Sequence, residues 1–176
     1  MSVGKIIISI VIALFIILAR VGSVFANTPS MSESATPKKV TVLSVNDYRV
    51  IKLRKYLESH NSPLSPYASE IVFWADYYQL DWRLVPAISG VESTFGKRIP
   101  RNSYNAYGWA NGNYSFESWS QSVEVVSETL RTKYKDDGLV TLRQISRRYA
   151  PPSSTWTWKV NYFMNDIDTA SVKFDF

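Results

Sequence analysis

The chain has no cysteine, and His60 is the single histidine among its 176 residues. Without cysteine, disulfide bonds and thiolate chemistry are excluded. With one histidine, a serine–histidine–aspartate triad or a metal site built from several histidines is all but excluded. If the chain is an enzyme, carboxylates, hydroxyls or tyrosines must carry its chemistry, and no cofactor or metal is indicated.

A strong excess of charge is also missing. Twenty lysines and arginines stand against 15 aspartates and glutamates, a net charge of +5. No basic run is interleaved with aromatic residues, so the pattern falls short of a nucleic-acid footprint. A mild positive bias suits an anionic polymer such as a cell-wall glycan. Aromatic residues are plentiful at 14%, but they stack on sugars, bases and each other, so they do not select a ligand.

Residues 1–26 have the layout of a secretory signal peptide. Lys5 precedes an apolar run over 6–19, and Val24-Phe25-Ala26 offers a cleavage site. Arg20 lies between the run and this site, so an uncleaved segment would instead be a short membrane anchor. Both readings predict an extracytoplasmic protein, secreted or anchored to the outer face of the cytoplasmic membrane, with no other membrane contact.

Residues 27–45 are rich in serine, threonine and proline and predict a flexible linker. Residues 46–176 predict one small, mainly α domain of the α+β class. Apolar spacing and capping residues (Ser65, Asp81, Ser118 and Thr141) indicate helices over 47–59, 65–79, a stretch from Asp81 that carries Glu92, 118–134, 141–148 and 155–168. The apolar face of the last helix carries Trp158, Val160, Phe163, Met164 and Ile167. Asn111-Gly112 predicts a short β-hairpin, 105–110 with 113–116, after the Glu92 helix.

The stretch Val85–Gly96, VPAISGVESTFG, contains an acidic residue in an unusual place. At about 100° per residue, Glu92 falls about 40° from Ile88, inside an apolar stripe that includes Leu84 and Val91. A carboxylate directed towards a core is costly unless it is paired or protonated. Apolar surroundings raise the pKa of a carboxyl group, as a general acid requires near neutral pH.

Four motifs in the same order resemble the lysozyme-like superfamily. Glu92-Ser93-Thr94-Phe95-Gly96 resembles its E-S-x-F-G segment, and the G-L-M-Q-like continuation of lytic transglycosylases is absent. Residues 104–109 instead resemble the N-x-F-G-I-K stretch of the endo-β-N-acetylglucosaminidases of glycoside hydrolase family 73. The similarity continues through Tyr114, Phe116 and Ser118-Trp119, and through Tyr149-Ala150-Pro151 with Trp158-Lys159-Val160. It covers about residues 65–168.

The resemblance implies a lysozyme-like fold and a monomeric, peptidoglycan-cleaving glycosidase. Its substrate would be the β-1,4-linked GlcNAc/MurNAc backbone, cleaved as by an endo-β-N-acetylglucosaminidase. Glu92 would be the general acid, and Tyr149 would orient or stabilise the reacting sugar. The matching motifs place substrate-binding residues at Ser93, Phe95, Asn105, Tyr107 and Trp109.

The second catalytic group stays open at the level of sequence. Glu117 is the first candidate and Glu124 the second, although neither matches a family motif closely. Lytic transglycosylases and substrate-assisted enzymes need no second carboxylate, so the chain could also be a transglycosylase that leaves 1,6-anhydro-muramyl ends. Two non-enzymatic functions stay open as well: a catalytically silent glycan-binding module, and a membrane-tethered scaffold that binds another protein.

Overall fold

The computed structural model of the chain describes residues 47–171. The segment 1–26 and the linker 27–45 predicted from the sequence lie outside these residues. Within 47–171, no helix is long and apolar enough to cross a membrane.

Six α-helices make up most of the described chain, and this part contains no β-strand. They are α1 (Tyr48–Ser59), α2 (Ala68–Tyr77), α3 (Leu84–Ser93), α4 (Trp119–Thr129), α5 (Leu142–Tyr149) and α6 (Trp156–Thr169). A 3₁₀ turn over Ser65–Tyr67 leads into α2, and a π-helical turn over Leu130–Lys135 extends α4. The predicted helices are therefore confirmed to within a few residues, with a tighter and a wider turn at two of their ends.

The capping predictions have mixed outcomes. Thr141 forms the full capping box of α5 with Gln144. Ser118 caps α4 by accepting a hydrogen bond from the Gln121 N–H at 3.1 Å, whereas the Gln121 side chain accepts from the Glu117 N–H.

The other two predicted caps are not N-caps of the helices that follow them. The Asp81 carboxylate accepts a hydrogen bond from the N–H of Arg83 at 3.0 Å, and Arg83 is the residue before α3 begins. The N-cap predicted at Ser65 is wrong, because Ser65 lies inside the 3₁₀ turn and that turn has no side-chain cap.

The predicted β-hairpin, 105–110 with 113–116, is also wrong. Residues Trp109–Gly112 form a 3₁₀ turn in which Ala110 and Asn111 have φ values of 50° and 54°. The Asn105 side chain occupies backbone groups that a strand ladder would use: it accepts from the Trp109 N–H and donates to the carbonyls of Trp109 and Tyr114. Asn111-Gly112 does lie in a turn, but the buried side chain of Asn105, rather than a partner strand, forms the hydrogen bonds with the backbone around this turn.

Helix α3 lies at the centre of the domain, with α6 packed against it and contacts to α2 and α4. Seven consecutive residues, 84–90, are buried, so this helix has no single apolar stripe of the kind predicted. Glu92 lies near its C-terminal end and is exposed at the surface. The prediction that Glu92 faces the core is therefore wrong, because the last turn of α3 is buried only in part: Gly90 and Ser93 are buried, whereas Glu92 lies on the exposed side.

Gly90 sets how closely α3 approaches α6. A Cβ atom at this position would lie 2.7 Å from Phe95 Cε1 and 3.0 Å from Phe163 Cδ2. Two aromatic rings thus occupy the space that any larger residue would need.

Replacing Gly90 with alanine is expected to destabilise the domain. Helix propensity alone would stabilise the variant by about 1 kcal/mol, but overpacking a core costs about 1–3 kcal/mol. Thermal unfolding followed by circular dichroism should show a melting temperature several degrees below wild type. An unchanged or higher melting temperature would contradict the close contact between α3 and the two rings.

Candidate active site

The chain leaves α3 through three consecutive residues in the left-handed region. Thr94, Phe95 and Gly96 have φ values of 54°, 59° and 81°. For a residue with a Cβ atom this conformation costs roughly 1–2 kcal/mol. The turn places Phe95 in the core, where its ring contacts those of Tyr56 and Phe163. Burying a phenylalanine contributes about 1.5–3 kcal/mol, which offsets much of this strain.

Ser93 fixes the turn to the following loop. Its Oγ lies within hydrogen-bonding distance of the carbonyl oxygens of Ser89 (3.0 Å) and Ala106 (2.8 Å), and it accepts from the Gly96 N–H. Ser93 and Phe95 are both almost completely buried. These two predicted substrate-binding residues therefore lie beneath the surface, where they hold the turn that follows Glu92.

Asn105 organises the loop that lies over the end of α3. Its amide nitrogen donates to the Trp109 carbonyl at 2.9 Å and to the Tyr114 carbonyl at 3.0 Å. Its amide oxygen accepts from the N–H groups of Tyr107 and Trp109. Because this side chain is buried and bonded to backbone on both ends, it shapes the loop that carries Gly108 and Trp109.

The Glu92 carboxylate lies between this loop and the start of α6. Its Oε1 accepts a hydrogen bond from Trp156 Nε1 at 2.7 Å. On the other side, a Cβ atom at Gly108 would lie only 2.8 Å from Oε2. Gly108 also has a φ of 69°, so both the close approach and the backbone conformation require glycine here.

Desolvation dominates the electrostatics of Glu92. Burial of the carboxyl group raises the pKa of Glu92 above its ordinary value of 4.5, although the residue keeps contact with solvent. The hydrogen bond from Trp156 and the charge of Lys159 lower this pKa, but by less than burial raises it. The carboxyl group therefore holds its proton to higher pH than a free glutamate does, as a general acid must.

Tyr149 connects the acid to the loop. Its hydroxyl donates to the Tyr107 carbonyl at 2.6 Å, and its ring packs on Trp156 with centroids 5.1 Å apart. Burial, followed by the negative charge of Glu92, raises the pKa of Tyr149 well above its usual range. Tyr149 is thus a neutral hydrogen-bond donor beside Glu92, with its proton directed at the loop backbone.

An open cleft adjoins these groups. It has a volume of about 370 Å³ and is lined by residues 107–111, Tyr134 and Tyr149. Gly108 and Tyr149 are shared between the cleft and the surroundings of Glu92, so the acid lies at the border of the cleft. The half-buried ring of Trp109 packs on those of Tyr114 and Phe116. Tyr107 itself is completely buried, so Trp109 is the more accessible of the two predicted aromatic contacts.

Glu117 is exposed before α4, where its backbone N–H donates to the Gln121 side chain. No carboxylate of the described chain, Glu124 included, contributes to the raised pKa of Glu92. Residues 47–171 also contain no cluster of three acidic or histidine side chains that could hold a metal ion. The roles predicted for Glu117 and Glu124 therefore stay predictions.

Sequence reasoning missed Trp156 and Gly108. The prediction that Trp158 belongs to the apolar face of α6 is wrong, because Trp158 is 66% exposed, whereas Trp156 is 2% exposed. Trp156, Val160 and Ile167 share one face by their spacing of four and seven residues, and this signal could have identified Trp156. The pairing of Gly108 with Glu92 depends on a loop conformation that no local pattern encodes.

No protein-family model matches this chain, and no curated protein matches it.

The raised pKa of Glu92 predicts a pH-dependent effect of replacing it with glutamine. Below pH 4.5, Glu92 is protonated in both the folded and unfolded chain. As pH rises towards the folded-state pKa, the unfolded chain loses its proton first, so ionisation destabilises the fold. Glutamine avoids this loss and can still accept from Trp156.

The melting temperature of Glu92→Gln should therefore rise relative to wild type between pH 4 and pH 7. Thermal unfolding across this range checks the effect, with Glu58→Gln on the exposed face of α1 as the matched control. A difference between wild type and Glu92→Gln that does not change with pH would contradict desolvation of the carboxyl group.

Proposed function

We propose that this chain is an exported glycosidase of the lysozyme-like type, which cleaves β-1,4 bonds in the peptidoglycan backbone with Glu92 as general acid. The observation that carries the proposal is the setting of Glu92. Burial raises the pKa of Glu92, Trp156 donates a hydrogen bond to Glu92 Oε1, and an aromatic-lined cleft lies beside the residue. A protonated carboxyl group at the edge of a sugar-sized cleft can deliver a proton to a glycosidic oxygen.

The aromatic lining suits a sugar ligand. Tyr134, Tyr149 and Trp109 line the cleft, and aromatic rings pack on the apolar faces of pyranose rings. Residues 108–111 of the loop line the same cleft. A cleft that combines aromatic side chains with polar surface can bind and orient a small ring.

The second catalytic group decides the reaction type. An inverting glycosidase needs a second carboxylate about 6.5–9.5 Å from the acid, and a retaining one needs a closer nucleophile. No carboxylate within residues 47–171 contributes to the raised pKa of Glu92, and our proposal takes the substrate itself as the source of the second group. The N-acetyl oxygen or the muramyl 6-hydroxyl would then attack the anomeric carbon while Glu92 protonates the leaving oxygen. Glu117 is the alternative source of the second group.

Cell-wall digestion by variants tests the role of Glu92. Purified Glu92→Gln should solubilise peptidoglycan at least about 100-fold more slowly than wild type, since general acid catalysis contributes about 10²–10⁴-fold. Glu117→Gln should retain activity if the substrate supplies the second group, and Glu58→Gln is the control for loss of a surface charge. Equal solubilisation by wild type and Glu92→Gln would refute the proposal, and a glycan-binding module that does not cleave would take its place.

Mass spectrometry of the released fragments separates the two reaction types. Attack by the N-acetyl group followed by water leaves reducing ends, whereas attack by the muramyl 6-hydroxyl leaves 1,6-anhydro ends. We expect reducing GlcNAc ends, following the family 73 resemblance of residues 104–119. Anhydro-muramyl ends would assign the chain to the transglycosylase type while leaving Glu92 as its acid.

A further inference from the structure

A continuous row of side chains leads from Glu92 to the basic helix α5. Trp156, which bonds to Glu92, packs on Tyr149 at 5.1 Å between centroids, and Tyr149 packs on Tyr134 at 6.2 Å. The guanidinium of Arg148 lies over the Tyr134 ring, 5.3 Å from its centroid. The wall of the cleft at Glu92 therefore ends at an arginine.

Beyond Arg148 lies a second open pocket of about 330 Å³, lined by Leu139, Gln144, Arg147 and Arg148. Since Tyr134 lines the first cleft and contacts Arg148, the two pockets are neighbours on one surface. A ligand whose sugar occupies the first could place a substituent in the second.

Arg148 is held in a fixed position. Besides Tyr134, it contacts the Asp137 carboxylate at 2.7 Å and donates to the Lys133 carbonyl. Its charge is thus partly compensated, and it forms a rigid wall of the pocket.

Arg147 is different, because its side chain has no hydrogen bond or ion pair with any other residue in the described part of the chain. It is exposed and lines the pocket. The oxygen of the neighbouring Gln144 amide accepts from Thr141, while its nitrogen has no partner within residues 47–171. The pocket therefore offers a guanidinium and an amide N–H group as available donors.

The charge of this region is concentrated. Residues 131–148 contain six basic and two acidic residues, in a chain whose total net charge is +5. Both acids already form ion pairs, Asp136 with Arg131 and Asp137 with Arg148. The remaining positive charge has no acidic partner in residues 47–171, and it favours an anionic group at the pocket.

We propose that the pocket at Arg147 binds a carboxylate of the peptide substituents carried by a peptidoglycan strand whose sugars occupy the cleft at Glu92. The inference rests on the proposed function and adds a determinant of specificity to it. A planar guanidinium binds a carboxylate through two parallel hydrogen bonds. The pocket would thus distinguish peptidoglycan from an uncharged GlcNAc polymer with the same β-1,4 linkage.

Binding of variants to two forms of one polymer tests the proposal. The first form is purified peptidoglycan freed of phosphate-containing polymers, and the second is the same material with its carboxylates converted to methylamides. All variants carry Glu92→Gln, so that co-sedimentation reports binding without cleavage. Arg147→Gln is compared with Arg143→Gln, which removes the same charge from the same exposed helix but does not line the pocket.

We expect Arg147→Gln to bind untreated peptidoglycan about tenfold more weakly than its parent. Arg143→Gln should bind as the parent does, and all three proteins should bind the amidated polymer equally weakly. Equal losses for Arg147→Gln and Arg143→Gln would overturn the proposal in favour of general charge attraction. It would also be overturned if Arg147→Gln bound untreated peptidoglycan as its parent does, or if the parent bound this phosphate-free material no better than its amidated form.

The same proteins with Glu92 restored separate this inference from the proposed function. If wild type binds peptidoglycan through Arg147 but releases no fragments, the proposed enzyme activity fails and the carboxylate pocket stands. If wild type cleaves peptidoglycan and Arg147→Gln binds and cleaves it equally well, the pocket fails and the enzyme activity stands.

Discussion

The hydrogen bond from Trp156 to Glu92 is the contact on which the site depends, because it joins the end of α3 to the start of α6 at the domain surface. Tyr149 packs on the same tryptophan and donates to the loop that lies over the acid. The acid, the loop and α6 are therefore positioned by one connected group of side chains. Burial at this position raises the pKa of Glu92, and the hydrogen bond from Trp156 lowers it by less.

Buried polar groups, rather than strands, hold the loop above this acid. Asn105 bonds to backbone on both ends of its amide, and Ser93 joins the turn after α3 to Ala106. A buried polar group is costly unless it is bonded, so these residues specify one loop conformation. The left-handed turn at Thr94 and Phe95 adds local strain that the burial of Phe95 offsets. Several residues expected to touch substrate thus act beneath the site, and the exposed surface is left to Glu92, Gly108 and Trp109.

The proposed activity and the proposed carboxylate pocket divide one surface into two parts. The aromatic part at Tyr134 and Tyr149 suits sugar rings, and the basic part at Arg147 suits their charged substituents. Tyr134 belongs to both, since it lines the cleft and lies under the Arg148 guanidinium. A peptidoglycan strand likewise carries charged peptide groups beside its sugar rings. Recognition of the polymer and cleavage of its bond would then rest on adjacent residues.

The sequence alone determined the helices and singled out Glu92, because helical periodicity, capping residues and a short acidic motif are local patterns. For the segment after α3 it predicted a β-hairpin that turns at Asn111-Gly112, and only the left-handed backbone of these two residues is found. Only the tertiary structure decided that Asn105 would bond to the backbone of this loop in place of a partner strand, and that residues 84–90 of α3 would all be buried. It also decided which tryptophan of α6 meets Glu92, and that Gly108 closes over the carboxylate. The two contacts of Glu92, with Gly108 and with Trp156, join residues 16 and 64 positions apart, so they depend on packing between elements, which no local pattern in the chain records.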